Sequence, residues 1–210
     1  MKRILIVYVK IVSIIILLFI GLYFAFKSMT KNNLDEKLNY LNKNWIELLT
    51  VQDKNDKFLS ILANKCPQDI MYVDSLNLTL LESTKTKKEI KECNPNLVYD
   101  KYLTNKYMLP LMKYYSDNQI GDIEKQKALK SLENNIDDIN KIIEKYNSSV
   151  SDYNKYYSMF PNFILAKSYG FKRKDYFEIR YGIENKDPKI AQKETREWQK
   201  KIEMEQGLSE

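Results

Sequence analysis

Apolar residues follow several patterns along this chain, and each predicts a different element. Between Ile11 and Phe26 no residue is charged, and the apolar run reaches back to Ile4 with Lys10 as its one interruption. A helix needs about 20 apolar residues to cross a bilayer, and a lysine near one end extends its stem toward the headgroups. From Leu34 the run becomes a stripe: Leu34, Leu38, Leu41, Trp45 and Leu48 recur at steps of four and three, the spacing of one helix face. No glycine or proline interrupts residues 28–66. One helix is therefore predicted to continue out of the apolar span to about Lys65. It turns polar at Gln52-Asp53-Lys54-Asn55-Asp56 and apolar again at Phe58, Ile61 and Leu62. Cys66-Pro67 ends it, because the residue before a proline avoids the helical region.

A second helix is predicted from Asp69 to about Glu92 on Ile70, Val73, Leu76, Leu80 and Leu81, before the turn Cys93-Asn94-Pro95-Asn96. A third runs from Leu97 to Ser116 on Val98, Tyr102, Tyr107, Leu111 and Tyr115, with Pro110 placed to kink or split it. Residues 117–122 form the next loop. The fourth is the most regular: Leu129, Leu132, Ile136, Ile139, Ile143, Tyr146, Val150, Tyr153, Tyr157 and Phe160 alternate steps of three and four without an error. That is a 3.5-residue seam, which buries against neighbours crossing at about 20°. Phe160-Pro161 stops it, and Gly170 is placed to cap a short following turn. Asn140, Asn147 and Asn154 also recur every seven residues, each directly after a seam residue. A partly buried amide ladder and a solvated shoulder both fit that spacing.

The fold class that follows is all-α: an N-terminal transmembrane helix, then a helical bundle. The divisions are an anchor over 1–27, a bundle over 28–185 and a charged tail over 186–210. The tail has too few apolar residues to build a core. It is expected to be disordered or a marginal helix, with Trp198 and Ile202 on one turn.

Charge sharpens the membrane reading. The formal net charge is +6, and Lys2, Arg3, Lys10, Lys27 and Lys31, with no acid before Asp35, supply all but one of it. The basic balance therefore belongs to the membrane flank, and a nucleic-acid footprint, which needs a basic face on the folded part, is not expected. A cleaved signal peptide would need small residues spaced around a cleavage site. Only Ala25 is small near the end of the run, between Phe24 and Phe26, so the span is read as uncleaved. Lys2, Arg3, Lys10 and the amino terminus outweigh Lys27 and Lys31, which places the N-terminus in the cytoplasm and the rest outside. Cys66 and Cys93 fit a disulfide there and fit two free thiols equally well.

Candidate chemistry is sparse. The chain has no histidine, which removes the commonest general base and most zinc sites. Five scattered glycines make no phosphate loop. Asp53 and Asp56 lie one turn apart and Asp137-Asp138 flank the seam, but runs of charge are ordinarily solvated. The sixteen tyrosines could suggest ligand binding, but Tyr146, Tyr153 and Tyr157 fall on the seam, where core packing with hydroxyls at the rim is the ordinary explanation. Lys172-Arg173-Lys174 could meet anionic lipid or wall polymer, and is read as a solvated basic turn. No catalytic residue, metal or cofactor is expected.

The residues Tyr146, Asn147, Val150, Tyr153, Asn154, Phe160, Pro161, Ala166, Gly170, Phe171, Tyr176 and Phe177 together form a long motif of consistent spacing. It resembles the signature of the bacterial LemA family. A looser likeness places Trp45 and Asp56 where that family has an alanine-tryptophan pair and an Asp-Leu-Ile-Pro turn; residues 67–128 match only in helical character. The resemblance implies a short N-terminus, one membrane helix, an elongated antiparallel bundle of about four helices and no established enzymatic activity, and the motif residues are read as structural. Where the family carries a glutamate and an arginine before its Tyr-Asn, this chain has Ile136 and Ile143, so the corresponding ion pair does not carry over. The arginine-rich turn before the Asp-Leu-Ile-Pro segment is reduced to Asp53-Lys54-Asn55, and Leu59 or Ser60 stands where its proline would be. The expected function is a non-enzymatic interaction or scaffold protein of the bacterial inner membrane, held in lipid by residues 4–26 and meeting a protein partner. The alternative is a sensor or signalling stalk that oligomerises through the seam.

Overall fold

The computed structural model describes residues 2–64, 66, 73–86, 92–118 and 122–205, apart from the side chains of 2–9, 82–86 and 199–205. Its regular elements are all helices: α1 (Lys2–Ala63), α2 (Val73–Thr86), α3 (Pro95–Asp117), α4 (Ile123–Ser158), α5 (Asn162–Ser168) and α6 (Pro188–Glu205). Between α5 and α6 the chain runs as a strap, residues 171–187, with no regular structure. The chain forms two compact units: Met1–Leu41 with Ser149–Lys174, and Asn42–Ser148 with Asp175–Glu210.

In the first unit, α1 carries a stretch long and apolar enough to cross a membrane, with mean hydropathy 2.3 and none of it buried. Cover begins where that stretch ends: Lys27 is partly covered and Thr30 is buried. Leu34, Leu41, Val150, Tyr153, Leu165 and Ala166 form this unit's core. Helix α4 ends at Ser158, short of Phe160, which is 75% exposed. The seam therefore stops before its expected last member, since proline lacks the N–H a helix needs and restricts the residue before it. Helix α5 ends in a Schellman motif. Phe171 N–H donates to Ala166 O and Gly170 N–H to Lys167 O, with Gly170 at φ +78°.

In the second unit, α1 buries Trp45, Leu48, Leu59 and Leu62. Its polar middle does not interrupt the stripe. Gln52 and Asn55 are each 1% exposed and continue the three-and-four rhythm, while Phe58 and Ile61, off that register, are only partly covered. Tyr115 of α3 donates its hydroxyl to Leu62 O at 2.8 Å, satisfying one of the carbonyls a helix end leaves open. Helix α2 packs on α3 through a face that buries Leu76 and Leu80. Leu81, expected on that face, is 58% exposed, since one residue turns about 100° around a helix. Ile70 and the predicted ends of this helix at 69–72 and 87–91 lie outside the described residues.

Helix α3 starts at Pro95, with the Asn94 side chain accepting the Leu97 N–H at 3.0 Å, an N-cap with proline at the first turn. Pro110 does not split it; the carbonyl deprived of a donor belongs to Lys106, an exposed residue. Helix α4 begins earlier than its seam because the Asp122 carboxylate accepts the N–H groups of Glu124 and Lys125. Leu132 and Ile139 are fully buried, and Leu129, Ile143 and Tyr146 nearly so. The charged stretch after Lys186 is helical as α6 over Pro188–Glu205, the second of its two expected states. Asp187 caps it by accepting the Lys189 N–H at 2.8 Å. Helix α6 packs on α3, where the Lys189 ammonium lies 3.5 Å from the Tyr99 ring centroid.

Candidate functional site

A chain segment outside helix and sheet must find partners for its backbone N–H and C=O groups wherever it is covered. The strap finds many of them in side chains. Asn140 donates to Tyr181 O at 3.0 Å and accepts the Tyr181 N–H at 2.9 Å. Asn147 does the same for Phe177, with both bonds 2.8 Å long. Within the first unit Asn154 treats Lys174 alike, at 2.8 and 2.9 Å. Each amide thus serves one strap residue as a neighbouring strand would. The spacing explains the choice of positions. Seven helical residues rise about 10.5 Å, and an extended chain covers that distance in about three to four residues. The seven-residue recurrence of asparagine is therefore a structural ladder, Asn140 included.

The tyrosine before each of the last two asparagines works on the same segment. Tyr146 donates its hydroxyl to Asp175 O at 3.1 Å, and Tyr153 to Lys172 O at 3.0 Å. Tyr146 and Phe177 also close on Trp45, with ring centroids 5.1 and 6.5 Å away. Burial, then the nearby Cys93 and Asp175, pushes the Tyr146 phenol up from its ordinary value, so it remains a hydrogen-bond donor.

Two further asparagines were not singled out by sequence. Asn105 of α3 donates to Ile183 O at 2.7 Å and accepts the Gly182 N–H at 3.0 Å. Asn185 folds back on Arg180, bonding its N–H at 2.9 Å and its carbonyl at 2.7 Å. Asn105 lies three residues after Tyr102 on the α3 stripe, and a polar residue at a stripe position was the available signal. Between them Gly182 takes φ +81°, and a Cβ there would lie 2.8 Å from Ile136 Cγ2.

The remaining motif residues divide by burial. Val150, Ala166 and Phe177 are fully buried; Gly170 and Phe171 close α5; Pro161 is partly covered. Phe160 and Tyr176, 75% and 43% exposed, belong to neither core, although they were expected to share the packing role.

Under Tyr181 lies a buried polar layer. Asp56 of α1 and Lys101 of α3 form an ion pair at 2.8 Å, with side chains 8% and 2% exposed. Burial, and after it the Asp56 charge, raises the Tyr181 phenol well above its ordinary value. The Gln52 amide moderates that rise. The amides of Gln52 and Asn55 have no hydrogen-bond partner among the described residues. Buried charges tolerate little sliding, because any shift leaves one unpaired. The pair thereby ties α1 to α3 at this level. Asp53 is not part of it and instead pairs with Lys57 at 3.0 Å on the surface; Asp137 and Asp138 are exposed.

Little of this arrangement offers reactive groups. Among the described residues no three His, Cys, Asp or Glu converge as a metal site would need. Cys66 and Cys93 are both free thiols. Cys93 donates to Tyr176 O at 3.6 Å, and burial pushes its thiol up to about 12, so the nucleophilic thiolate is scarce at neutral pH. In the first unit a surface groove of about 520 Å³ lies between α1 and α4, lined by Asn33, Glu36, Lys37, Tyr40, Asp152 and Tyr156. Asn33 donates to the Tyr156 hydroxyl at 3.0 Å, and Lys37 sits 5.6 Å from that ring's centroid.

No curated protein and no solved structure matches the chain. The model of the LemA family matches residues 116–191. That span contains Asn140, Tyr146, Asn147, Tyr153 and Asn154 of α4 together with the whole strap they hold, and over it the chain is similar to the LemA family.

Proposed function

We propose that this protein is a non-enzymatic, single-pass membrane-anchored interaction or scaffold protein of the bacterial cell envelope. Residues 4–26 seat it in the inner membrane with the N-terminus in the cytoplasm. The helical part, an antiparallel bundle of about four helices, is displayed outside and meets a protein partner. The observation that carries this reading is the use made of the motif's polar side chains. Asn147, Asn154, Tyr146 and Tyr153 are all engaged with the chain's own backbone, as expected of a region whose task is to hold a shape. The exposed apolar span of α1 and the likeness to the LemA family support the membrane setting.

The alternative, an oligomeric stalk joined through the α4 seam, is disfavoured by the burial of Leu132, Ile139, Val150 and Tyr153 within one chain. Proximity labelling from a tag fused after α6 in living cells tests the main reading. Labelling of envelope proteins facing away from the cytoplasm is the expected result, and labelling confined to cytoplasmic proteins overturns it. The mass of the full chain in detergent tests the alternative: a monomer is expected, and a defined dimer lost on substituting the seam would revive the stalk.

A further inference from the structure

We propose that the corner between α4 and α5, with the basic segment after α5, rests in the headgroup layer of the membrane that α1 crosses. The surface it needs is an anionic bilayer. The inference rests on the membrane anchoring proposed above.

Four observations from the first unit lead to it. Met159, Phe160, Phe163 and Ile164 are 51%, 75%, 43% and 52% exposed, while the opposite side of α5 is buried through Asn162, Leu165 and Ala166. Phe160 and Phe163 lie together, ring centroids 6.3 Å apart, so the exposed residues form a patch and not scattered singles. Contiguous exposed apolar surface marks a docking site.

The depth of the patch follows from α1. Tyr156 is level with Asn33 through their hydrogen bond, and Tyr169, after α5, takes the Lys27 ammonium 5.3 Å from its ring centroid. From Tyr156 to Tyr169 the chain has therefore moved back along α1 to its first charged residue after the apolar span. The corner thus lies at the membrane-proximal end of this unit, where α1 first becomes covered.

Charge completes the fit. Residues 159–174 contain Lys167, Lys172, Arg173 and Lys174 and no acid, and Lys167, Lys172 and Arg173 are exposed. Each basic residue near an anionic leaflet contributes roughly 1 kcal/mol to attraction, and phenylalanine on the apolar side of an interfacial segment enters the boundary between headgroups and hydrocarbon. The basic turn read from sequence as merely solvated thereby acquires a lipid partner.

The test uses the full chain in bilayer nanodiscs containing phosphatidylglycerol, with Cys66 and Cys93 replaced by serine and one nitroxide at a time. Labels are placed through Phe24→Cys in the span, Phe160→Cys at the corner and Asn39→Cys on an exposed turn of α1. Collision with oxygen reports lipid, and collision with a water-soluble nickel chelate reports solvent. The expected result is oxygen-dominated relaxation at position 24, nickel-dominated at 39, and loss of nickel access at 160. Lys172→Glu with Arg173→Glu is expected to restore nickel access at 160 while leaving position 24 unchanged. Nickel-dominated relaxation at 160 with lipid-like behaviour at 24 overturns the corner alone. Protection of 160 from both reagents assigns it to a protein contact and also overturns it. Nickel access at 24 overturns the anchoring itself. Thermal melting of each labelled protein excludes loss of folding, which exposed Phe160 is not expected to cause.

Discussion

Asn147 accepts the N–H of Phe177 and donates to its carbonyl, both at 2.8 Å, so one side chain replaces a strand. Asn147→Asp keeps the shape and the acceptor but turns an oxygen toward the Phe177 carbonyl. Leaving such a buried group unpaired costs about 1–3 kcal/mol. Denaturant titration of the full chain in micelles should show a loss of that size, and an unchanged midpoint would mean the bonds contribute nothing.

Asp56 and Lys101 make a prediction of opposite signs. Breaking a buried pair by Lys101→Met strands a charge and is expected to cost about 3–5 kcal/mol. The double variant Asp56→Leu/Lys101→Met removes both charges and is expected to regain most of that loss. A double variant less stable than Lys101→Met alone would contradict the pairing.

The two positive-φ glycines separate strain from crowding. Gly170 at φ +78° has open space around an added Cβ, whereas Gly182 at +81° faces Ile136 Cγ2 at 2.8 Å. Gly170→Ala is expected to cost about 1–2 kcal/mol for its conformation alone. Gly182→Ala should cost more, and Ile136→Ala should relieve only its excess. Equal costs from the two alanine substitutions in thermal melts would contradict the close approach.

Titration gives a further prediction. Cys93 is raised from 9.0 to about 12, and the phenols of Tyr146 and Tyr181 lie above their ordinary 10.0. An acid whose folded pKa is raised holds its proton after the unfolded chain has released it. The unfolded state then binds fewer protons, so stability falls as pH rises. The fall begins near pH 9, and Cys93→Ala should remove its first part. Stability that rises between pH 9 and 11 would contradict the burial of these groups.

Much of this architecture is legible from residue spacing. The α4 seam, the stop at Phe160-Pro161 and the Gly170 cap follow from periodicity and backbone preference, whereas the seven-residue recurrence of asparagine leaves ladder and solvated shoulder open until the strap is placed beside it. What escaped has a common cause: Gln52, Asn55, Asp56, Lys101 and Asn105 are polar residues at covered positions. Composition reads such residues as breaks in a stripe, and only their partners in space explain their burial. Helix α6 was legible only as one of two states, since the low apolar content after Lys186 fits disorder and a marginal helix alike. The outward position of Phe160 depends on the turn of the chain at Pro161, which periodicity does not encode.

The claim at the centre is that α4 clasps the strap through side-chain amides and phenols. Residue-resolved hydrogen–deuterium exchange of the full chain in micelles tests it most directly. The N–H groups of Lys174, Phe177 and Tyr181, bonded to Asn154, Asn147 and Asn140, are predicted to exchange slowly, while that of exposed Glu178 exchanges fast. Uniformly fast exchange from Lys174 to Tyr181 would contradict it.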